Sequence, residues 1–337
     1  MIRACRIPSG SKGADNLQVV ELPEPQPLAG QVVVRIRAAS LNFRDQAIVK
    51  GDYPGLREGG VIPLSDGAGE VIAAGRGVAR TRVGDRVVGT FFQTLRHPMA
   101  TVPVALGAGI DGVLAEQVAF YEDGVVPIPD GYSYEDAACL PCAAVTAWHA
   151  LFRMGKPVTT GSTVLVLGTG GVSIFALQFA RAAGCRVIAT SSSDEKLARV
   201  RELGAALTIN YKTEPDWDKA VLRLTAGQGA DCVVEVGGVG TMQRSINALA
   251  RGGKIMLIGL LTGRDGAVNP YPLMFKAGAI HGVYVGDRAM FVEMNRALEV
   301  NGIKPVIDRV FTFEQAVDAF EYQASGQMVG KVVIRIN

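Results

Sequence analysis

The sequence predicts an α/β protein in which a doubly wound parallel sheet follows a smaller, mainly β unit. Three observations predict this. The apolar, β-branched run Val164–Leu167 leads into Gly168-Thr-Gly-Gly171, a helical pattern over Ile174–Ala183 and a second apolar run, Arg186–Ala189. Beyond about residue 161, short apolar runs alternate with helical patterns. Before residue 128, strand-like runs are separated by Pro- and Gly-rich turns such as Pro23-Glu-Pro-Gln-Pro27.

In the first unit the expected strands are Val32–Ala38, Gly67–Ala74, Val83–Phe91, Val113–Phe120 and Gly124–Ile128. Ser133–Met154 reads as two short helices, with Pro141 at a break or first turn. The α/β part follows, with strands Val164–Leu167, Arg186–Ala189, Leu207–Asn210, Cys232–Glu235, Lys254–Gly259 and Ala279–Val285. Helices Ile174–Ala183, Glu195–Leu203, Trp217–Thr225 and Thr241–Ala250 lie between most of them. After Gly286 come a helix (Arg288–Asn301), a strand (Val306–Phe311), a helix (Phe313–Ser325) and a last strand (Lys331–Ile334), which could return to the first sheet. The expected division is 1–128 with 287–337, and 129–286, with the active-site cleft between the two domains.

Composition narrows the function classes. With 337 residues, two domains can each bury a core. The net charge of +2 and the absence of a basic block give no sign of nucleic acid or a membrane surface as partner. No apolar run reaches signal-peptide or membrane-spanning form, and five sparse cysteines fit a reducing compartment, so a cytoplasmic protein is expected. Cys139-Leu-Pro-Cys142 has the spacing of a redox pair, but nothing nearby completes such a pattern, and two small buried residues are the preferred reading.

Strand, glycine turn, helix and strand within about thirty residues form the Rossmann unit that holds a dinucleotide. Gly168 permits the tight turn, Gly170 lets the backbone approach a pyrophosphate, and the helix N-terminus at Gly171 and Val172 offers free N–H groups. Thr169 lies inside this turn, and the third glycine of the usual fingerprint is Ser173 here.

Asn42-Phe-Arg-Asp45, Asp52-Tyr-Pro54, Gly67-Ala-Gly69, Arg82-Val-Gly-Asp85, Leu140-Pro-Cys-Ala-Ala-Val-Thr-Ala147 and Gly168-Thr-Gly-Gly171 run through nearly the whole chain. Together they resemble the medium-chain dehydrogenase/reductase superfamily, in its zinc-free, quinone-oxidoreductase-like branch and close to a zinc-type alcohol-dehydrogenase-like group. The resemblance implies a GroES-like β-barrel catalytic domain with an inserted Rossmann doubly wound parallel-sheet domain.

The resemblance also frames a metal test. Asn42 and Ser65 stand where zinc-dependent relatives have a Cys and a His ligand, and only Cys142 falls near a third ligand position. One thiol cannot make the three protein ligands a catalytic zinc requires, so no metal is expected. His97, His149 and His281 are far apart in sequence and read as packing or surface residues.

For the nucleotide, relatives that use NAD carry an acid at the end of the second strand, where this chain has Ser191 and Ser192. Lys196 and Tyr211 resemble the pair that binds the 2′-phosphate in NADPH-dependent quinone oxidoreductases, which implies NADP(H). Alternatively, Lys196 is a solvated helix lysine and Tyr211 a strand-end aromatic, and Asp194 and Glu195 stand close by. The backbone at Val236-Gly237 and Ile258-Gly259-Leu260 follows two strand ends and can border the nicotinamide. Thr146 and Asn42 resemble residues on the nicotinamide side. Their bland alternatives are helix packing for Thr146 and strand-end satisfaction for Asn42. Lys331, in Gly330-Lys331, resembles part of a segment that closes over the cofactor.

The implied reaction is hydride transfer from NADPH to a quinone or α,β-unsaturated carbonyl, with an alcohol dehydrogenase or a cofactor-binding protein of little turnover as alternatives. Tyr53 resembles a substrate-facing tyrosine of related enoyl reductases, as proton donor or pocket lining, and Asn42 is a second donor. Arg44 and Asp45 read as an internal salt bridge. The substrate pocket is expected to involve Tyr53, 91–95 and 97–114. A homodimer is expected across a sheet edge offered by Ile255–Leu261.

Overall fold

The computed structural model describes residues 1–93 and 104–337. It divides the chain into Met1–Val145 with Asp287–Asn337, and Thr146–Gly286. Leading through the first part are β1 (Ile2–Arg6), β2 (Gln18–Leu22), β3 (Gln31–Ser40), α1 (Phe43–Val49), β4 (Asp66–Ala74), β5 (Arg86–Gly89), β6 (Gln117–Tyr121), β7 (Val125–Pro127) and α2 (Tyr134–Ala138). From α3 (Val145–Trp148) the chain continues through β8 (Thr163–Leu167), α4 (Gly171–Ala182), β9 (Arg186–Ser191), α5 (Asp194–Glu202), β10 (Leu207–Asn210) and α6 (Trp217–Leu224). Then come β11 (Ala230–Glu235), α7 (Val239–Ala248), β12 (Leu249–Leu257), α8 (Tyr271–Phe275) and β13 (Ala279–Gly282). The tail supplies α9 (Arg288–Asn301), β14 (Ile307–Thr312), α10 (Ala316–Ala324) and β15 (Lys331–Arg335).

In the first unit the main sheet runs β14-β15-β3-β4-β5-β7, with β6 also on β3. Ten-residue β3 accommodates two partners along one side. Its first half pairs with β6 (Gln31↔Tyr121 to Arg35↔Gln117), and its last three residues pair with β15 (Val333↔Ser40 to Arg335↔Ala38). The tail therefore completes this sheet. Val32, Val34, Ile36 and Ala39 join Val332, Ile334, Phe313 and Phe320 in one core.

The second unit holds a six-stranded parallel sheet in the order β10-β9-β8-β11-β12-β13. Every residue of β8 is buried, as a strand covered by helices on both faces must be. The order reverses between β8 and β11, so their carboxyl ends mark the crevice where such sheets bind ligands.

Several expectations shift. Residues 129–145 lie with the first unit, not the second, because α2 packs on β3, β4 and β15. The expected pair of helices over 133–154 is α2 and α3 joined and followed by wider turns, Leu140–Ala144 and His149–Arg153, and Pro141 sits in the first of these. Buried Lys254 donates from Nζ to the carbonyls of Ala150, Leu151 and Met154, holding the end of the second wide turn. The expected strand Val83–Phe91 is shorter, at Arg86–Gly89, and Val113–Phe120 begins later, at Gln117. Ile255–Leu261 is not an edge: β12 has β11 on one side and β13 on the other, and β13 is the edge strand at that end of the sheet. The apolar run indicates burial, which suits an inner strand better than an edge.

Candidate active site

The nucleotide side is built at the carboxyl ends of β8, β9, β11 and β12. Gly168 has φ +72°, a left-handed conformation that favours glycine, and its turn delivers the chain to α4. Gly170 caps α4 in extended conformation, and a side chain there would meet nothing within 4 Å, so the backbone is open to approach. Ser173, standing in for the third glycine, is 1% exposed and donates from Oγ to Leu167 O at 2.7 Å. The hydroxyl turns a packing requirement into a direct tie between helix and strand. Gly171 and Val172 open the helix, where N–H groups have no intrahelical partner and the dipole is positive, so these residues fit a pyrophosphate.

Ser191 is buried at the end of β9, its carbonyl accepting the N–H of Tyr211 at 3.0 Å. Ser192 follows, half-buried. Ser193 caps α5, accepting the N–H of Lys196. Lys196 is half-buried on the first turn and Tyr211 is exposed. The neighbouring carboxylate of Asp194 accepts from Asn210 Nδ2 at 2.9 Å.

Sequence reasoning missed the group that shapes the opposite border. Glu235, at the end of β11, is fully buried and accepts from Gly237 N (2.7 Å), Gly238 N (3.1 Å), Thr241 Oγ1 (2.6 Å) and Ser245 Oγ. Four donors converging on one buried carboxylate fix the loop at Val236 and Gly237. Thr262 ties that loop to the one after β12, donating from N (2.7 Å) and Oγ1 (2.8 Å) to Gly237 O. Ile258 and Gly259 donate their N–H groups to Glu235 O, and Leu260 is exposed beyond them. A carboxylate ending an otherwise apolar strand was the available signal. Thr146 is buried in α3.

In the first unit a polar cluster lies where β3, β4 and β15 meet. Asn42 caps α1 and is 8% exposed. Its N–H donates to Asp45 Oδ2 at 2.7 Å, and its Oδ1 accepts from Lys331 Nζ at 2.6 Å. Its Nδ2 is buried with no hydrogen-bond partner among the described residues. The Lys331 ammonium also donates to Leu41 O at 2.6 Å and stands 3.9 Å from Asp66 Oδ2. Asp66, fully buried, accepts from Ser65 Oγ at 2.6 Å and from Cys142 N at 3.1 Å. Lys331, expected in a segment over the cofactor, thus has its ammonium buried against residues of its own unit.

Arg44 and Asp45 form no hydrogen-bonded salt bridge. Arg44 instead donates to Leu106 O at 2.9 Å, with its guanidinium 4.6 Å from the ring centre of Tyr53 and 4.8 Å from that of Phe91. Two aromatic faces and a carbonyl lodge this cation, and the Asp45 charge acts on it without a hydrogen bond. Tyr53 is half-buried in this stack. Of the expected pocket residues, 94–103, His97 included, lie outside the described residues. His149 contacts Val285 O through Nδ1 at 2.6 Å, a packing role. Cys139 and Cys142 are both free thiols, and burial, followed by the Asp66 charge, pushes the Cys142 thiol up.

No group of three or more His, Cys, Asp or Glu side chains among the described residues can hold a metal ion. Around Asn42 and Ser65 the described donors are the Asp45 and Asp66 carboxyls and the unionised Cys142 thiol; Asp45 already accepts from Asn42 N–H, and a lysine ammonium faces Asp66. These residues do not fit a catalytic zinc.

A family model described as alcohol dehydrogenase GroES-like domain matches residues 28–130, and one described as zinc-binding dehydrogenase matches residues 171–299. The fold and site thus define an oxidoreductase with a GroES-like domain and a nucleotide-binding Rossmann sheet. A zinc-type alcohol dehydrogenase-like protein of Schizosaccharomyces pombe is 43% identical over 334 residues, covering 96% of each chain. The quinone oxidoreductase of Pseudomonas aeruginosa is 31% identical over 335 residues, again covering 96% of each. The solved structure of an NAD-dependent alcohol dehydrogenase superposes with a TM-score of 0.92 at 34% identity, covering 99% of this chain and 100% of that one. The chain belongs to the medium-chain dehydrogenase/reductase superfamily, among the zinc-type alcohol-dehydrogenase-like proteins.

The Asp45 carboxyl gives a pH signature. Burial pushes it up from 3.8 to about 6, against the pull of Arg44 and the Asn42 N–H. A carboxyl raised on folding holds its proton more tightly in the folded state, so its contribution to stability falls as pH rises from 3.8 to about 6 and is flat above. Asp45→Asn, which keeps an acceptor for Asn42 N–H, is expected to remove this slope. Urea unfolding of both proteins across the window checks it, and parallel profiles would refute it.

Proposed function

We propose that the protein is a zinc-independent, NADPH-dependent reductase of quinones or α,β-unsaturated carbonyls. The observation that carries this reading is the replacement of metal ligands by a hydrogen-bonding set, in which Asn42 holds a buried Nδ2 with no partner among the described residues. When bound, the nicotinamide would supply the hydride. Gly168 to Val172 would hold the pyrophosphate, with Val236, Gly237, Ile258, Gly259, Leu260 and Thr146 around the nicotinamide. Ser191 and Ser192 leave a 2′-phosphate unrepelled, and Lys196 with Tyr211 would bind it. Asn42 would donate to the carbonyl oxygen as negative charge develops there, and Tyr53 would orient the substrate or donate the proton. Such donors suffice for acceptors already activated by conjugation.

A second reading, NAD-dependent alcohol dehydrogenase, is favoured by the acidic pair Asp194 and Glu195 beside the ribose position and by the structural relative of that description. A third, nucleotide binding with little turnover, keeps the same nucleotide residues and predicts tight NADPH binding with no substrate.

The homodimer is proposed through β13, now the edge strand. Ile280 on it and Leu260, Leu261, Tyr271, Met274, Phe275 and Tyr284 near it in sequence are exposed. A second copy pairing edge to edge would cover both the strand and this apolar surface.

The deciding experiment follows loss of the reduced-nicotinamide absorbance with quinones, enones and aldehydes, with and without a chelator. Chelator-insensitive turnover of quinones or enones is expected, with Tyr53→Phe slowing enones more than quinones; turnover confined to aldehydes and abolished by chelator would overturn the reading. Lys196→Ala is expected to weaken NADPH at least tenfold, about 1.4 kcal/mol, and NADH little; equal losses would remove its 2′-phosphate role. Light scattering is expected to return a dimer, and Ile280→Lys a monomer.

A further inference from the structure

Lys331 is buried, and among the described residues its Nζ meets one group that the proposed reaction uses directly, Oδ1 of Asn42. We infer that Lys331 is a positioning residue: it fixes the Asn42 carboxamide with Nδ2 presented as a donor to the reacting carbonyl. This rests on the proposed role of Asn42 and deepens it.

An ammonium has donors only, so the Asn42 atom 2.6 Å from Lys331 Nζ must be the acceptor Oδ1. That contact decides which end of the amide is which, and the remaining end is a donor. Lys331 also grips Leu41 O at 2.6 Å, and Asn42 N–H is held by Asp45, so backbone and side chain of residue 42 are clamped together. Two buried carboxyls stand in this cluster, and neither takes Nδ2: Asp45 holds Asn42 N–H through Oδ2 and leaves Oδ1 without a partner among the described residues, while Asp66 already accepts from Ser65 Oγ and Cys142 N and faces the ammonium as counter-charge. The Asn42 Nδ2 is consequently buried and without a partner among the described residues. A buried donor without an acceptor costs free energy, and a ligand oxygen recovers it. A charge-assisted bond at Oδ1 further polarises the amide toward donation.

The test is a double-mutant cycle of Asn42→Ala and Lys331→Met, read as kcat, KM and nucleotide affinity on the substrate the panel identifies. Each single change is expected to lower kcat about 100-fold, far more than it weakens nucleotide binding, and the double change to be no slower than either single one. Additive losses, or wild-type kcat in Lys331→Met, would overturn the inference. If Lys331→Met does not fold, Lys331→Met with Asp66→Asn removes the cation together with its counter-charge and carries the same comparison. If the wild-type protein turns over no substrate, the proposed function fails on its own. A crystal structure of the Lys331 variant then decides the inference: a rotated Asn42 side chain supports it, and an unmoved one refutes it.

Discussion

The Lys331 ammonium lies inside the first unit at the first residue of its last strand, and groups at the ends of two neighbouring strands hold it there. A buried cation is costly unless paired and hydrogen-bonded. Asp66 at the head of β4 supplies the counter-charge, and the carbonyl of Leu41 and Oδ1 of Asn42, just past β3, supply acceptors. The charge therefore links three neighbouring strands at one end of the sheet. It also explains why the chain must return from the second unit before the first is complete: β15 brings both the missing ladder beside β3 and the cation.

The second unit solves a similar problem with the opposite sign. Glu235 ends a buried strand, and its carboxylate is enclosed by two backbone N–H groups and two hydroxyls. A loop whose N–H groups are committed to such a group has little freedom left. Rigid loops at the strand ends are what a fold needs if it is to present backbone to a flat ring without a change of shape on binding.

The elements legible in the sequence were those whose signal is local. Buried β8, the left-handed Gly168 and the α4 pattern lie within a few residues of one another, so the nucleotide turn could be read directly. Asn42 and Ser65 were legible as departures from a ligand set. What those residues do instead was not, because Lys331 lies 289 positions from Asn42 and only strand pairing brings them together. Arg44 was read only in part for the same reason: sequence adjacency suggested Asp45, whose charge does act on it, but its hydrogen-bond and aromatic partners come from Leu106, Tyr53 and Phe91. The sheet edge was misassigned because a continuous apolar run marks a strand covered on both faces and says nothing of its place in the strand order.

The proposed metal-free site sets the direction of the proposed reaction. A Lewis-acidic metal stabilises an alkoxide directly and lowers the pKa of the oxygen it binds, so alcohol oxidation becomes accessible near neutral pH. An amide donor cannot ionise an alcohol; it stabilises negative charge only as that charge forms, by about 3 kcal/mol at a well-placed site. Such a donor is of most use where the acceptor already spreads charge, as a quinone or an enone does through its conjugated oxygen. On the proposed reading a clamped Asn42 favours reduction of activated carbonyls over oxidation of simple alcohols, and the clamp matters because an amide free to turn would offer its oxygen, which repels the same charge, as readily as its nitrogen.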